Sequence, residues 1–599
     1  MRQNMSTRWD DAILNQYRQI GDKEADLLVD QTFQGKNGSI KSNRMLLLAN
    51  QLIEQPGLFF VDDSWVAKEL NSYRKDDPGL ADYYEPMEAP DWVDMGKLKL
   101  ASKFWHENTV VSLGVLYAAS LPSCYLIEKG IPALYKTGKL LPPYLNQRIY
   151  ETGLMLDAVM DKDGINIIED KEFDMDYVLA DEVARCIPGS HVQRSRHHLH
   201  IDCGESKGGV SDDPGLEDLV NTVNQAVTRR LKEGTKRYLW GKGYITAKKV
   251  RFLHASMRYM LLNPSAVSPP PTSEDGQPKP FMEKIAERQE TWDSQTLGAP
   301  VNQEDVAYTL LTFGLVIPKG LEKWGIPISQ EEKDAFLHLW KLIGHVMGIE
   351  DGLLTDQWDE AEALFALVQQ RQCGGSPDGV ALTEALIGMM DDYLPKLPGV
   401  KQNSLPVELI VSQMGEKFGK DLISPETWKN SRPCLLRPAY AFLGGVAKLY
   451  FGLRTAYLKS FPLLGDISAN LVHEVGETII DSWRDAYRRV PFFVPNSLTD
   501  WQRLAGADPE YLKVLKDWRQ GMLITAGFSL VLLVISVFGL TVAFPLWLLQ
   551  GQTAFFVSLG ITAGSYVLFA TIAKKKLTKL LENRPKPNNR IIKLAKHMK

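Results

Sequence analysis

Along most of the chain, apolar residues recur at three- to four-residue spacing, the signature of helices with one buried face. Asp334 to Met347 (DAFLHLWKLIGHVM) keeps that rhythm, as do Leu145 to Met160 and Leu216 to Lys232. Lys248 to Tyr259 predicts one amphipathic helix in which Val250, Leu253, His254, Met257 and Leu261 share a face. Few stretches alternate apolar with polar residues, so the pattern predicts an all-α body. Its clearest break is Asn263 to Lys279 (NPSAVSPPPTSEDGQPK), where clustered prolines and serines cannot continue a helix.

Toward the C-terminus the pattern changes kind. No charged residue occurs between Arg519 and Lys574, and two apolar runs lie there, one from about Met522 and one from about Phe555 to Ala573. A hydrocarbon core takes about 20 apolar residues to cross, so each run is long enough. Gly551-Gln552-Thr553 gives a polar tip between them. Lys513, Lys516 and Arg519 precede the pair and Lys574, Lys575 and Lys576 follow it. Basic flanks favour the cytoplasmic side, so the expectation is a C-terminal transmembrane helical hairpin with both ends and the catalytic body facing the cytoplasm. The N-terminus shows no apolar stretch of the kind a secretory signal needs.

Composition sharpens this picture in two places. The chain of 599 residues carries a net charge of -5, which gives no drive toward nucleic acid, and none is expected as a partner. The segment from Lys574 to Lys599 has ten Lys or Arg against one acid, a net +9, so the rest of the chain carries -14. A basic tail on an acidic body suits attachment to an anionic surface. The five cysteines are scattered without a CxxC pair, and read as reduced thiols rather than as a zinc or disulfide framework.

Three clusters could carry chemistry. His254 projects from the apolar face of its predicted helix, with Arg251 and Arg258 a turn to either side. An imidazole so placed is either a satisfied core histidine or a haem-iron ligand, with the guanidiniums neutralising propionates. Arg148, Glu151 and Thr152 fall on one helical face at i, i+3 and i+4. They form a polar island if buried and an ordinary ion pair if exposed. His197 and His200 could share a helical face and hold a metal, but no further ligands stand at convincing positions. His473-Glu474 lacks the second histidine of HExxH. No phosphate-binding loop or nucleophile elbow is visible.

The order of elements resembles the latex-clearing-protein (rubber oxygenase) family, which also contains the ER-bound oxygenases of mycophenolic acid biosynthesis. The resemblance rests on Arg251, His254, Ala255 and Arg258 in one helix. A second motif follows at Gly298, Pro300, Asn302, Gln303, Glu304, Asp305, Thr309, Leu310, Leu311, Thr312 and Phe313, and Leu405 to Ile410 matches further on. It spans roughly residues 85 to 425. It implies a globin-like helical core holding one haem b, with His254 as the iron ligand and O2 as co-substrate. It also places Arg148 and Thr152 on the distal motif, where Glu151 stands in place of the family's lysine.

The expected organisation is therefore an N-terminal helical segment (1–84), the oxygenase-like domain (85–425) and a membrane-proximal helical appendage (426–518). The transmembrane hairpin (519–573) and the basic tail (574–599) complete it. The rubber enzymes are secreted, whereas this chain is expected to be membrane-bound. A membrane-dissolved, unsaturated, isoprenoid-like small molecule is thus the expected substrate, with oxidative C=C cleavage as the reaction. Hydroxylation, peroxidase-like chemistry, a non-catalytic haem carrier and a non-haem iron site at His197, His198 and His200 are the competing readings. Oligomeric state cannot be read from the sequence.

Overall fold

The computed structural model describes residues 8–34, 78–136, 145–169, 191–195, 198–202, 237–263, 292–393 and 403–432, together with helical positions between 441 and 480 and a few single positions beyond 520. The expected helix Leu216 to Lys232, nearly all of the loop after Asn263, almost all of the hairpin 519–573 and almost all of the tail lie outside the described residues. Among the described residues, no helix is long and apolar enough to cross a membrane.

The architecture is mostly helical. The elements that shape the site are α1 (Asp11–Arg18), α2 (Lys23–Gln34), α3 (Met95–Val115), α4 (Leu121–Tyr125), α5 (Leu145–Met160), α6 (Lys242–Leu262), α7 (Gln303–Gly314) and α8 (Gln330–Val346). Helix α8 starts at a capping box, in which the Ser329 hydroxyl and the Glu332 carboxylate each satisfy the other's backbone N–H. It packs along α3, where Phe104 and Phe336 meet edge to face at 5.3 Å. Phe336, Trp105 and Trp340 are fully buried between these elements. Burying each aromatic ring stabilises the fold by roughly 2–3 kcal/mol. A π turn at Leu116–Ser120 ends α3 and leads directly into α4.

Helices α5 and α6 cross at very close range, and two glycines make this possible. A Cβ on Gly243 would sit 2.7 Å from the Gly164 carbonyl oxygen and 2.8 Å from that of Ala158. Gly241, just before α6, has φ +127°, a conformation that side-chain-bearing residues rarely adopt. Backbone contact of this kind lets α6 be buried on nearly all sides. Its Lys248 and Lys249 are buried with it, and the Lys248 ammonium lies over the Tyr83 ring at 4.3 Å.

The N-terminal helices are fastened to this core by ion pairs. Arg251 of α6 reaches Asp22 Oδ2 and Glu24 Oε2, both at 2.6 Å, and Arg258 reaches Asp26 Oδ1 at 2.8 Å. From α1, Arg18 contacts Glu304 at 3.2 Å and Asp305 at 3.0 Å. Gln303 donates to the carbonyls of Gly21 and Gly348 and accepts from Glu350 N–H. The Asn302–Asp305 motif thus has a structural meaning. Asn302 caps α7, Gln303 clamps two loops, and the buried Glu304 holds Arg18 and Arg371.

Strands are few and short. Met87–Glu88 (β1), Asn166–Glu169 (β2) and Arg237–Trp240 (β5) form an antiparallel sheet in the order β1-β5-β2. His191–Ser195 (β3) pairs antiparallel with His198–Asp202 (β4). This corrects one expectation from the sequence. His198 to Asp202 is a strand, so His200 does not sit on a helix. His197 itself lies outside the described residues.

Candidate functional site

One cavity brings together residues from α4 through α8. It takes in about 1210 Å³ of space between atoms, its open mouth included. Apolar side chains such as Leu121, Met155, Val250, Leu310 and Phe313 make most of the wall. A mostly apolar wall with a few converging polar groups is the usual make-up of a small-molecule or cofactor site.

Arg148, Glu151, Thr152 and His254 all line this cavity. The sequence placed the first three on one face, and α5 turns that face inward. Arg148 Nη1 is 3.5 Å from Glu151 Oε2, and the Glu151 side chain is only 3% exposed. The polar-island reading of this trio is therefore the one the fold realises. Thr152 differs in detail from expectation. Its hydroxyl donates to the Arg148 carbonyl oxygen at 3.1 Å, one turn back along α5, so toward the cavity it offers lone pairs rather than a proton.

His254 enters from α6, the helix that packs against α5. Burial, with the Arg148 and Arg258 charges behind it, pushes its pKa down to about 3, so the imidazole is neutral at physiological pH. It differs from His338 and His106. His338 accepts from the Asp94 N–H at 3.0 Å and faces Asp356 at 3.1 Å, while His106 contacts the Ser102 carbonyl at 2.7 Å. No hydrogen bond joins the His254 ring to any described residue. A neutral, unpartnered imidazole facing an apolar cavity can give its lone pair to a metal ion.

Arg251 and Arg258 are placed otherwise. Both guanidiniums turn to the acids of α2, and neither lines the cavity. The pairing partners lie more than 200 residues away in sequence, so the motif alone could not reveal them. Arg258 also donates to the Val301 carbonyl at 2.9 Å. Val301 lines the cavity and has φ +51°, a costly backbone for a β-branched residue. Arg258 thus steadies a strained piece of wall from behind.

Sequence reasoning missed three further wall residues. Asp305 is buried with its pKa raised, chiefly by burial, against the opposing pull of Arg18. The Tyr125 hydroxyl and Trp340 Nε1 are buried, and neither finds a hydrogen-bond partner among the described residues. Asp305 stood inside a visible motif, but nothing in the sequence marked Tyr125 or separated Trp340 from an ordinary core residue.

Fold and site together define a helical domain whose cavity joins an unpartnered histidine to a buried Arg–Glu pair. Residues 234–452 match the family described as ER-bound oxygenase mpaB/B'/Rubber oxygenase, catalytic domain. The chain is 27% identical over 153 residues to the rubber oxygenase of Streptomyces sp. (strain K30). That alignment covers 25% of this chain and 31% of the relative, so the chain matches about a third of the relative's length. The solved structure of latex clearing protein LCP in the closed state aligns over 73% of this chain and 91% of that chain, at 16% identity and a TM-score of 0.35.

Proposed function

We propose that the chain is a haem-b-dependent oxygenase, anchored in a membrane by its 519–573 segment, that acts on a lipophilic, unsaturated, isoprenoid-like molecule. The observation that carries this reading is the placement of a neutral, unpartnered His254 in the same apolar cavity as Arg148, Glu151 and Thr152. The match of residues 234–452 to the oxygenase family supports it.

The residues present fit a haem. His254 would hold the iron, and the aliphatic and aromatic wall suits a flat macrocycle. The buried Tyr125 hydroxyl and Trp340 N–H are donors in search of an acceptor, as a cofactor or oxygenated ligand would provide. Since Arg251 and Arg258 are engaged by α2, Arg148 is the cation best placed to meet an anionic edge of the cofactor or substrate. Bound there, the haem would supply an iron centre for O2 chemistry.

The chain's own residues set the conditions for that chemistry. Arg148 pairs with the Glu151 side chain, a carboxylate placed to act as base within the cavity; Thr152 can accept a hydrogen bond but not donate one in this arrangement. The apolar wall excludes water from the reacting alkene. Oxidative cleavage of R2C=CR2 by O2 to two carbonyl fragments balances without any external reductant.

The test is O2 consumption by the detergent-purified full chain given unsaturated isoprenoid lipids, with the products trapped as carbonyl derivatives. Uptake with two carbonyl fragments per O2 is expected. Uptake that yields only hydroxylated lipid would replace cleavage with hydroxylation, and no uptake with any such lipid would overturn the enzyme reading.

A further inference from the structure

Helix α5 carries a second acid whose surroundings have nothing to do with the cavity. Asp157 pairs through Oδ2 with the Lys242 ammonium at 3.2 Å. Its other oxygen, Oδ1, faces His473 Nε2 at 3.9 Å, and the same nitrogen is 3.8 Å from Glu477 Oε1. Both separations exceed hydrogen-bond range. His473 Nδ1 is buried and has no hydrogen-bond partner among the described residues either. An imidazole therefore stands between two carboxylates and bonds to neither.

The helical positions between 469 and 480 are seated firmly enough to define this arrangement. Ala469 and Ile480 are buried at either end. Gly476 lies so close to α3 that a Cβ would collide with Thr109 Cγ2. His473 and Glu477, one turn apart, are thereby turned toward Asp157. The His106 ring, fixed by the Ser102 carbonyl, packs on His473 with ring centroids 3.9 Å apart and limits its rotation.

We propose that Asp157, His473 and Glu477 form a site for a divalent transition-metal ion of the zinc class, which clamps the 469–480 segment onto α3 and α5. One oxygen from each carboxylate and one imidazole nitrogen lie within 4.8 Å of one another. Around a zinc ion with bonds near 2.0–2.1 Å, tetrahedral ligand atoms sit about 3.3 Å apart. Side-chain shifts of roughly half an ångström would close the two spacings to His473 onto such an ion, and the carboxylate oxygens, within 4.8 Å of each other, would close by up to about 1.5 Å. The donor set decides the class: an imidazole with two carboxylates suits zinc or manganese, whereas calcium and magnesium prefer oxygen alone. Lys242 plays the supporting part, since by holding Oδ2 it aims Oδ1 at the centre. Side-chain exposures of 15% for His473 and 45% for Glu477 leave a way in for the ion and for a completing water. Sequence inspection passed over His473 because the HExxH pattern is absent; the third donor comes from another helix more than 300 residues earlier.

The site is independent of the haem reading and is tested apart from it. Full-length protein stripped with EDTA is titrated with Zn²⁺ against a chromophoric chelator, alongside His473→Ala, Asp157→Asn and Glu477→Gln. One tight Zn²⁺ per chain is expected in the parent, weakened at least tenfold in each variant. Added Zn²⁺ should also raise the melting temperature of the parent and not that of His473→Ala. Glu477 is half exposed, so Glu477→Gln keeps the fold and keeps the test decisive if the other two variants fail to fold. Equal Zn²⁺ affinity in parent and Glu477→Gln, or no stoichiometric binding by the parent, would overturn the proposal.

Discussion

Helix α6 presents charged or titratable groups to two neighbourhoods that treat them in opposite ways. Toward α2, Arg251 and Arg258 meet three acids at 2.6–2.8 Å, and every guanidinium has a carboxylate to oppose it. Toward the cavity, His254 meets no hydrogen-bond partner among the described residues, and Tyr125 and Trp340 nearby keep donors that none of those residues meets. In the first region each guanidinium is opposed by a carboxylate, which offsets the cost of burying its charge. The second leaves polar groups open where a self-contained core would have paired them, and buried groups of that kind ask for a ligand. Residues that share one motif thus divide into those that hold the wall and one that faces the cavity.

The comparison breaks most visibly on the paired side. Arg251→Ala would leave Asp22, only 9% exposed, without its guanidinium. Removing one partner of a buried pair costs about 3–5 kcal/mol, so denaturant unfolding should show a loss of that order. A loss below about 1 kcal/mol would mean that the α2 clamp is not needed. On the open side the expectation is reversed. Glu151→Gln keeps shape and removes the carboxylate charge, so turnover should fall by about 10²–10⁴, the usual worth of a positioned base. The unfolding transition should hardly move. Unchanged turnover would return the Arg148–Glu151 pair to a structural role.

A partnered histidine offers the mildest contrast. The His338 ring, with help from Lys341, holds the Asp356 carboxyl below the usual carboxylate range. An unfolded aspartate titrates near about 3.9, so this stabilisation is fully present above about pH 4 and is lost as the pH falls below it. Asp356→Asn should cost of order 1 kcal/mol at neutral pH and flatten the acid limb of the stability curve. An acid limb identical to that of the parent would show that the pair contributes nothing.

Local pattern made much of this fold legible. The apolar rhythm from Leu145 to Met160 coincides with α5, and Lys248 to Tyr259 falls inside α6. Periodicity also put Arg148, Glu151 and Thr152 on one face, because i, i+3 and i+4 neighbours depend only on the helix itself. What the sequence hid depends on distant chain segments. The acids of α2 claim Arg251 and Arg258 from more than 200 residues away, and His473 meets Asp157 only through tertiary packing. The β3–β4 hairpin escaped for a different reason: five-residue strands rich in histidine and arginine carry little of the apolar alternation that marks a strand.

The central claim is that the open neighbourhood of α6 is a haem site built on His254. Its most direct test is the visible absorption spectrum of the purified full-length protein beside that of His254→Ala. A strong Soret band in the parent is expected, with a pyridine haemochrome reporting about one haem b per chain by the stoichiometry of a single axial histidine. In the folded His254→Ala variant the band should be largely lost. A parent without a Soret band, or a variant with full haem content, would contradict the account.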